Sequence, residues 1–149
     1  MLKLFYKAEQ FNSDISGWDV SSVTRMFDMF AYAYSFNQDI SGWDVSNVTE
    51  MTQMFNHALD FNQDLGDWDI SSLWSSFSIF RSSGLNVCNY SETIEGWATL
   101  SSGETQIPEG LSLENDMYYP STLQDEIYLL KNTYSWTVTD IEDSELSCD

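Results

Sequence analysis

Three aspartates stand 25 residues apart, Asp19, Asp44 and Asp69, each two residues ahead of a serine (Ser21, Ser46 and Ser71). A row of carboxylates is the arrangement that can gather a hard cation, because calcium accepts several carboxylate oxygens. On neighbouring strands about 4.8 Å apart, unit charges repel by roughly 3 to 4 kcal/mol per pair at an effective dielectric near 20, and by about 1 kcal/mol in water. A bound calcium ion relieves that repulsion. Turning the side chains into water, or onto backbone amides, relieves it too, and the residues favour this second reading. Neither an EF-hand loop nor the calcium-binding nonapeptide is present. The expectation is a binding surface on Asp19, Ser21, Asp44, Ser46, Asp69 and Ser71, with no cofactor and no metal-ligand set, and with calcium only as a stabiliser of the column.

Other reactive residues are sparse. His57 is the only histidine, and the residues 25 positions either side of it are Tyr32 and Ser82. Catalysis needs a nucleophile or acid–base group held against a partner, and no G-x-S-x-G, HExxH or P-loop spacing occurs. Paired carboxylates can cleave glycosides, but with 24 acids in the chain some pair always lies close. A non-enzymatic role is expected. Cys88 and Cys148 are the only cysteines and make no CxxC or Cys/His metal spacing. Whether they pair is left open, since a separation of 60 residues fixes no geometry. Asn47-Val48-Thr49 and Asn89-Tyr90-Ser91 are formal glycosylation sequons.

The element that must position these residues is a repeat. Phe11–Ser35 reads FNSDISGWDVSSVTRMFDMFAYAYS, Phe36–Asp60 reads FNQDISGWDVSNVTEMTQMFNHALD, and a third copy opens at Phe61 with FNQDLGDWDISSLWSSFSIF. Apolar columns hold through every copy: Phe11, Phe36 and Phe61; Ile15, Ile40 and Leu65; Trp18, Trp43 and Trp68; Met29, Met54 and Ile79; Phe30, Phe55 and Phe80. One fixed period means one unit stacked on itself, each copy burying its neighbour's apolar face. Met1, Leu4, Phe5 and Ala8 keep the register of Met26, Met29, Phe30 and Ala33. Met1–Gln10 is therefore the back part of an earlier copy, which suggests the C-terminal piece of a longer repeat protein; an unusual native start is the alternative. Within a copy, Ile40, Trp43, Val45 and Val48 approximate a leucine-rich-repeat strand with Asp44 and Ser46 pointing out. Met51, Met54, Phe55 and Ala58 follow the spacing of a short helix with Thr49 as its N-cap. Asn12, Asn37 and Asn62 recur at the return turn, where stacked amides can satisfy backbone groups.

The fold class expected is an α/β solenoid with a short parallel strand and a short helix per copy: a partial copy at 1–10, copies at 11–35, 36–60 and 61–84, and an α+β C-terminal cap at 85–140. In the cap, Leu85, Tyr90, Ile94 and Trp97 line a helix, and 101–109 read as a loop. Pro120, Ser121 and Gln124 open a second helix running to about Asn132, and 135–139 alternate like a strand. The last ten residues, 140–149, read as an acidic, mobile tail.

Charge narrows the function. Up to Gly84 there are 11 acids and 4 bases (−7); from Leu85 there are 13 acids and one base, Lys131 (−12), giving −19 overall. Such a surface repels phosphate backbones and anionic membranes, which argues against nucleic-acid binding. No apolar run reaches the roughly 18 residues of a membrane span, and the first residues lack a signal-peptide core. The acidity suits a secreted or cell-surface setting.

The motif FNQDISGWDVSNVT-x-M-x-x-MF-x-x-A closely resembles the repeat of BspA-like leucine-rich-repeat surface proteins, a group that includes many mycoplasma lipoproteins. Tyr90, Gly96-Trp97-Ala98 and Trp136-Thr137-Val138-Thr139-Asp140 resemble the ending common in that family. The third copy departs from the pattern at Trp74 and Ser76. The resemblance implies an extracellular or surface-exposed protein with adhesion or recognition roles, and carries no catalytic residues. Two function classes follow: a surface module that binds an unknown protein or glycan, or a spacer in a larger surface protein. Exposed aromatics between the inward columns would favour binding. The positions expected to be exposed carry Gly17, Gly42, Asp67, the aspartates and the serines instead, which leaves cations, sugars or spacing.

Overall fold

Each copy has more backbone amides than its own turns can satisfy, and the next copy takes them. In the computed structural model, which describes residues 1–100, 104–115, 117–143 and 145–148, alternate amides in the back part of one copy donate to carbonyls of the following copy. Lys3, Phe5 and Lys7 donate to Phe27, Met29 and Ala31 at 2.9–3.0 Å; Met26, Asp28, Phe30 and Tyr32 donate to Glu50, Thr52, Met54 and Asn56; Met51, Gln53, Phe55 and His57 donate to Ser75, Phe77, Ile79 and Arg81. Arg25, Glu50 and Ser75 are linked by parallel bridges. The repeat period is thus a hydrogen-bond register.

This register displaces the helix and strand expected in each copy. Met51, Met54, Phe55 and Ala58 are all buried, but among the described residues helices occur only after Asn86. An α-helix would spend its amides along its own axis. Here the alternate amides point sideways, and the remainder close short turns such as Met54 N–H to Met51 O and Ala58 N–H to Phe55 O. Asp28, Tyr32, Gln53, His57, Ser78 and Ser82 consequently take positive φ, 53° to 62°. That conformation costs a non-glycine residue on the order of 1–2 kcal/mol, and lateral bonding with core burial offsets it. Thr49 is not a helix cap: its amide and hydroxyl both donate to Thr24 O. The expected strand is also a pair of turns, with Trp43 N–H on Ile40 O and Val48 N–H on Val45 O. Its in–out alternation survives, since Trp43 and Val45 are buried and Asp44 is exposed.

The core is a file of aromatic rings. Phe5, Phe30, Phe55 and Phe80 follow one another at centroid spacings of 5.4, 5.7 and 5.8 Å. Phe11, Phe36 and Phe61 run beside them, each 3.8–3.9 Å from its partner in the first file. Stacking of identical side chains at one register is what keeps the copies aligned.

After Gly84 the pattern gives way to α1 (Val87–Trp97), β1 (Ser112–Leu113), β2 (Tyr118–Tyr119), a 3-10 turn at Ser121–Leu123, α2 (Gln124–Thr133), β3 (Thr137–Val138) and β4 (Ile141–Glu142). Parallel pairs form between β1 and β3 and between β2 and β4. Both cap helices and the Thr137–Val138 strand lie where the sequence pattern puts them. The capping box expected from Ser121 and Gln124 does not form: that helix entry has no side-chain cap bond. The tail is not loose either. β4 pairs with β2, and Cys148 is disulfide-bonded to Cys88 on α1, their Cα atoms 5.3 Å apart.

Candidate functional surface

The aspartate row was the surface singled out by sequence, and its geometry is local. Asp19 Oδ1 accepts the Ser21 amide and hydroxyl at 3.1 and 2.6 Å, and Asp44 Oδ1 accepts the same groups of Ser46 at the same distances. Asp69 repeats this with Ser71. A second set, Asp14 with Ser16 and Asp39 with Ser41, is built identically. These are side-chain turns, the use to which Asp-x-Ser is suited by its short reach back to the backbone. The serine hydroxyl and amide donors hold the carboxyls of Asp14, Asp19 and Asp39 below the usual carboxylate range. Each aspartate satisfies its own turn, and Ser71 is buried at 8% exposure. Among the described residues no group of three acidic, histidine or cysteine side chains is placed to hold a metal ion.

The asparagines act between copies. Asn12 Oδ1 accepts the Asn37 amide, Asn37 Oδ1 the Asn62 amide, and Asn62 Oδ1 the Asn86 amide, at 2.8–2.9 Å. Gln38, Gln63 and Asn89 side chains add a second donor to each acceptor. Both sequon asparagines are engaged, Asn47 on Ser21 O and Asn89 on Asn62. Asn86 is also the N-cap of α1, receiving Asn89 N–H. The ladder that begins in the repeats therefore ends by starting the cap helix.

The indoles run the same way. Trp43 donates to Ile15 O, Trp68 to Ile40 O, and Trp97 of α1 to Leu65 O, at 2.9–3.1 Å. Trp97 occupies the next rung of a column that belongs to the repeats, and it stacks on Phe80 at 5.9 Å. Close approach makes this fit: a Cβ on Gly96 would collide with the backbone of Gly66, and one on Gly66 with Glu92 O. Beyond α1, Ser76 and Ser78 hydroxyls donate to Ser112 and Glu114 carbonyls, and Phe80 N–H donates to Asn115 Oδ1. Asp140 ties the cap together, its carboxylate accepting from Tyr90 O–H and from the Asn115 and Met117 amides. Burial pushes the Asp140 carboxyl up despite these donors, and pushes the Tyr90 phenol well up.

A different surface emerges along the lateral ladder. Tyr32 stacks on His57 at 4.7 Å and meets Tyr6 and Tyr34 edge-on at 6.0 and 6.4 Å. Lys3 Nζ lies over Tyr6 and Phe27, and Lys7 Nζ over Tyr6 and Tyr32, at 4.9–5.9 Å. Tyr6 is 37% exposed; Tyr32, Tyr34 and His57 are half-buried. Sequence reasoning passed over this strip because these columns vary in residue type. The available signal was spacing: Lys7, Tyr32 and His57 share one column.

These features define a repeat protein whose copies bond through a fixed register and whose last copy is closed by a matching cap. Residues 1–99 match the family described as Mycoplasma protein of unknown function, DUF285. The chain belongs to that family, and the matched segment runs past Gly84 through the whole of α1. No match was found among curated proteins or among solved structures.

Proposed function

We propose that this chain is a non-enzymatic, surface-exposed recognition module: a leucine-rich-repeat-like solenoid of the BspA type, adapted to hold a protein or glycan outside the cell. The observation that carries this reading is the aromatic strip Tyr6, Tyr32, Tyr34 and His57 with Lys3 and Lys7 above it. Ring faces backed by cations offer apolar contact, stacking and charge at one place, the composition typical of residues that dominate binding energy. The Cys88–Cys148 disulfide supports an oxidising compartment, as does the −19 charge a salty one. The test is binding of the immobilised chain to panels of extracellular proteins and glycans. Tyr32→Ala should weaken capture at least tenfold while Asp44→Asn leaves it unchanged. Equal capture by wild type and Tyr32→Ala would sink this surface as the binding face.

The second reading is a spacer, stabilised or not by cations. It is favoured by one observation: the Asp19, Asp44 and Asp69 side chains are occupied in their own turns. Here calcium at millimolar concentration, in a background of high sodium chloride, should raise Tm only if the column binds it.

A further inference from the structure

The C-terminal tail is acidic and lies on an acidic cap. From Leu85 onward 13 acids face one base, and Glu142, Asp143 and Glu145 belong to the tail itself. Glu95 on α1 already has its carboxyl raised, by burial and then by the neighbouring Glu126 and Glu92 charges. The tail meets the cap through a two-residue strand, β4, with both residues exposed. Ile141 and Asp143 amides donate to Met117 and Tyr119 carbonyls, and Gln124 reaches Glu142 at 3.0 Å. Beyond Asp143 the amides of Glu145 and Leu146 turn back to Asp143. The covalent link of Cys148 to Cys88 is the strongest tie. Cys148 is exposed and Cys88 half-buried, so the bond is within reach of a solution thiol.

The tail is not an ornament of the cap. Asp140, at its root, joins Tyr90 of α1 to the backbone of Asn115 and Met117. Asn115 in turn receives Phe80 N–H of the last copy. A load path therefore runs from the disulfide through Asp140 and Asn115 to the end of the repeat stack.

We propose that the Cys88–Cys148 disulfide is a thiol-reducible latch that holds the acidic tail down and so keeps the cap seated on the last repeat. A dithiol opens it by thiolate attack on one sulfur, which breaks the S–S bond, expels the partner cysteine as thiolate and leaves a mixed disulfide. The reagent's second thiol then attacks its own sulfur in that mixed disulfide and expels the remaining cysteine. Two electrons pass to the protein, which ends with two thiols, and the reagent ends as its own disulfide. The latch is independent of the recognition role and of its aromatic strip.

The full oxidised chain is compared with the same chain reduced by dithiothreitol and alkylated, by amide hydrogen exchange and by melting in low and high sodium chloride. Reduction should lower Tm by about 10 °C, from the release of a long closed loop. The drop should be larger at low salt, because screening weakens the repulsion that lifts the tail. Exchange should accelerate first at Ile141, Asp143, Met117 and Phe80 while Met26, Asp28 and Phe30 stay protected. Cys148→Ser should reproduce this pattern without reductant, free of any effect of alkylation. Unchanged protection at Phe80 and Ile141 after reduction would overturn the latch. So would loss of protection at Met26 in step with Ile141, since the bond would then staple the whole molecule and gate nothing.

Discussion

Two rungs of the repeat stack carry the same indole column and treat it differently. Trp18, preceded here by the partial copy Met1–Gln10, is 40% exposed. At the trailing end, Trp97 sits 1% exposed in the same column, bonded to Leu65 O. The same indole position is partly in water in the first full copy and sealed in the cap. The difference teaches that the cap is built as one more rung. It borrows the asparagine ladder at Asn86, the indole column at Trp97, and the lateral register at Asn115. Edges of repeat arrays need such closure because each copy buries only what its neighbour covers.

The comparison predicts its own failures. The largest is truncation after Gly84, which strips the cover from Ile70, Leu73 and Phe80, all buried. Cooperative melting should be lost, or the fragment should aggregate, as read by calorimetry and light scattering. A soluble fragment with a sharp transition would show that the repeats do not need their cap.

Single residues sharpen the contrast. Trp97→Ala should cost about 3–5 kcal/mol, the usual range for a buried aromatic, whereas Trp18→Ala should cost about 1 kcal/mol or less at a surface position. Urea melts of both variants measure this. Similar losses at the two positions would mean that Trp18 is packed as tightly as Trp97.

Much of this was legible in the sequence, for a physical reason. The 25-residue columns report burial, and burial does not depend on which backbone conformation delivers it. Phe30, Phe55 and Phe80 were therefore placed correctly, while the helix drawn through Met51 and Ala58 was not. Spacing i, i+3, i+4, i+7 fits an α-helix, but consecutive turns with positive φ at Gln53 and His57 bury the same residues. What redirected the backbone is a partner 24 residues away in the chain, which local periodicity cannot see. The aspartates turn onto backbone amides, the reading their residues favoured. Asp-x-Ser is a turn signal as well as a row of charge, and the turn used the carboxylates first. The disulfide and the Tyr90–Asp140 bond depend on how the cap closes on itself, which no column announces.

The smallest predicted effect is in acid. Asp14, Asp19 and Asp39 have folded pKa values below their ordinary 3.8. Their contribution is therefore full above that value and is lost as pH falls through the lower folded pKa. Asp140 has the opposite sign: its raised pKa means that ionisation above 3.8 costs stability until the folded group is fully charged. Ser21→Ala should therefore blunt the loss of Tm below about pH 4 by a small amount. Asp140→Asn should leave that acid limb in place while changing the shape above it. An acid limb untouched by Ser21→Ala would show that the exposed turns contribute nothing.

Exchange of the four column indole N–H protons, followed by nuclear magnetic resonance, tests the central claim most directly. Trp43, Trp68 and Trp97 each donate to a carbonyl of the rung before, so all three should exchange slowly and open together with the core. Trp18 should exchange orders of magnitude faster. A Trp97 proton that exchanges as fast as that of Trp18 would contradict the account, because the cap would then not be the last rung of the stack.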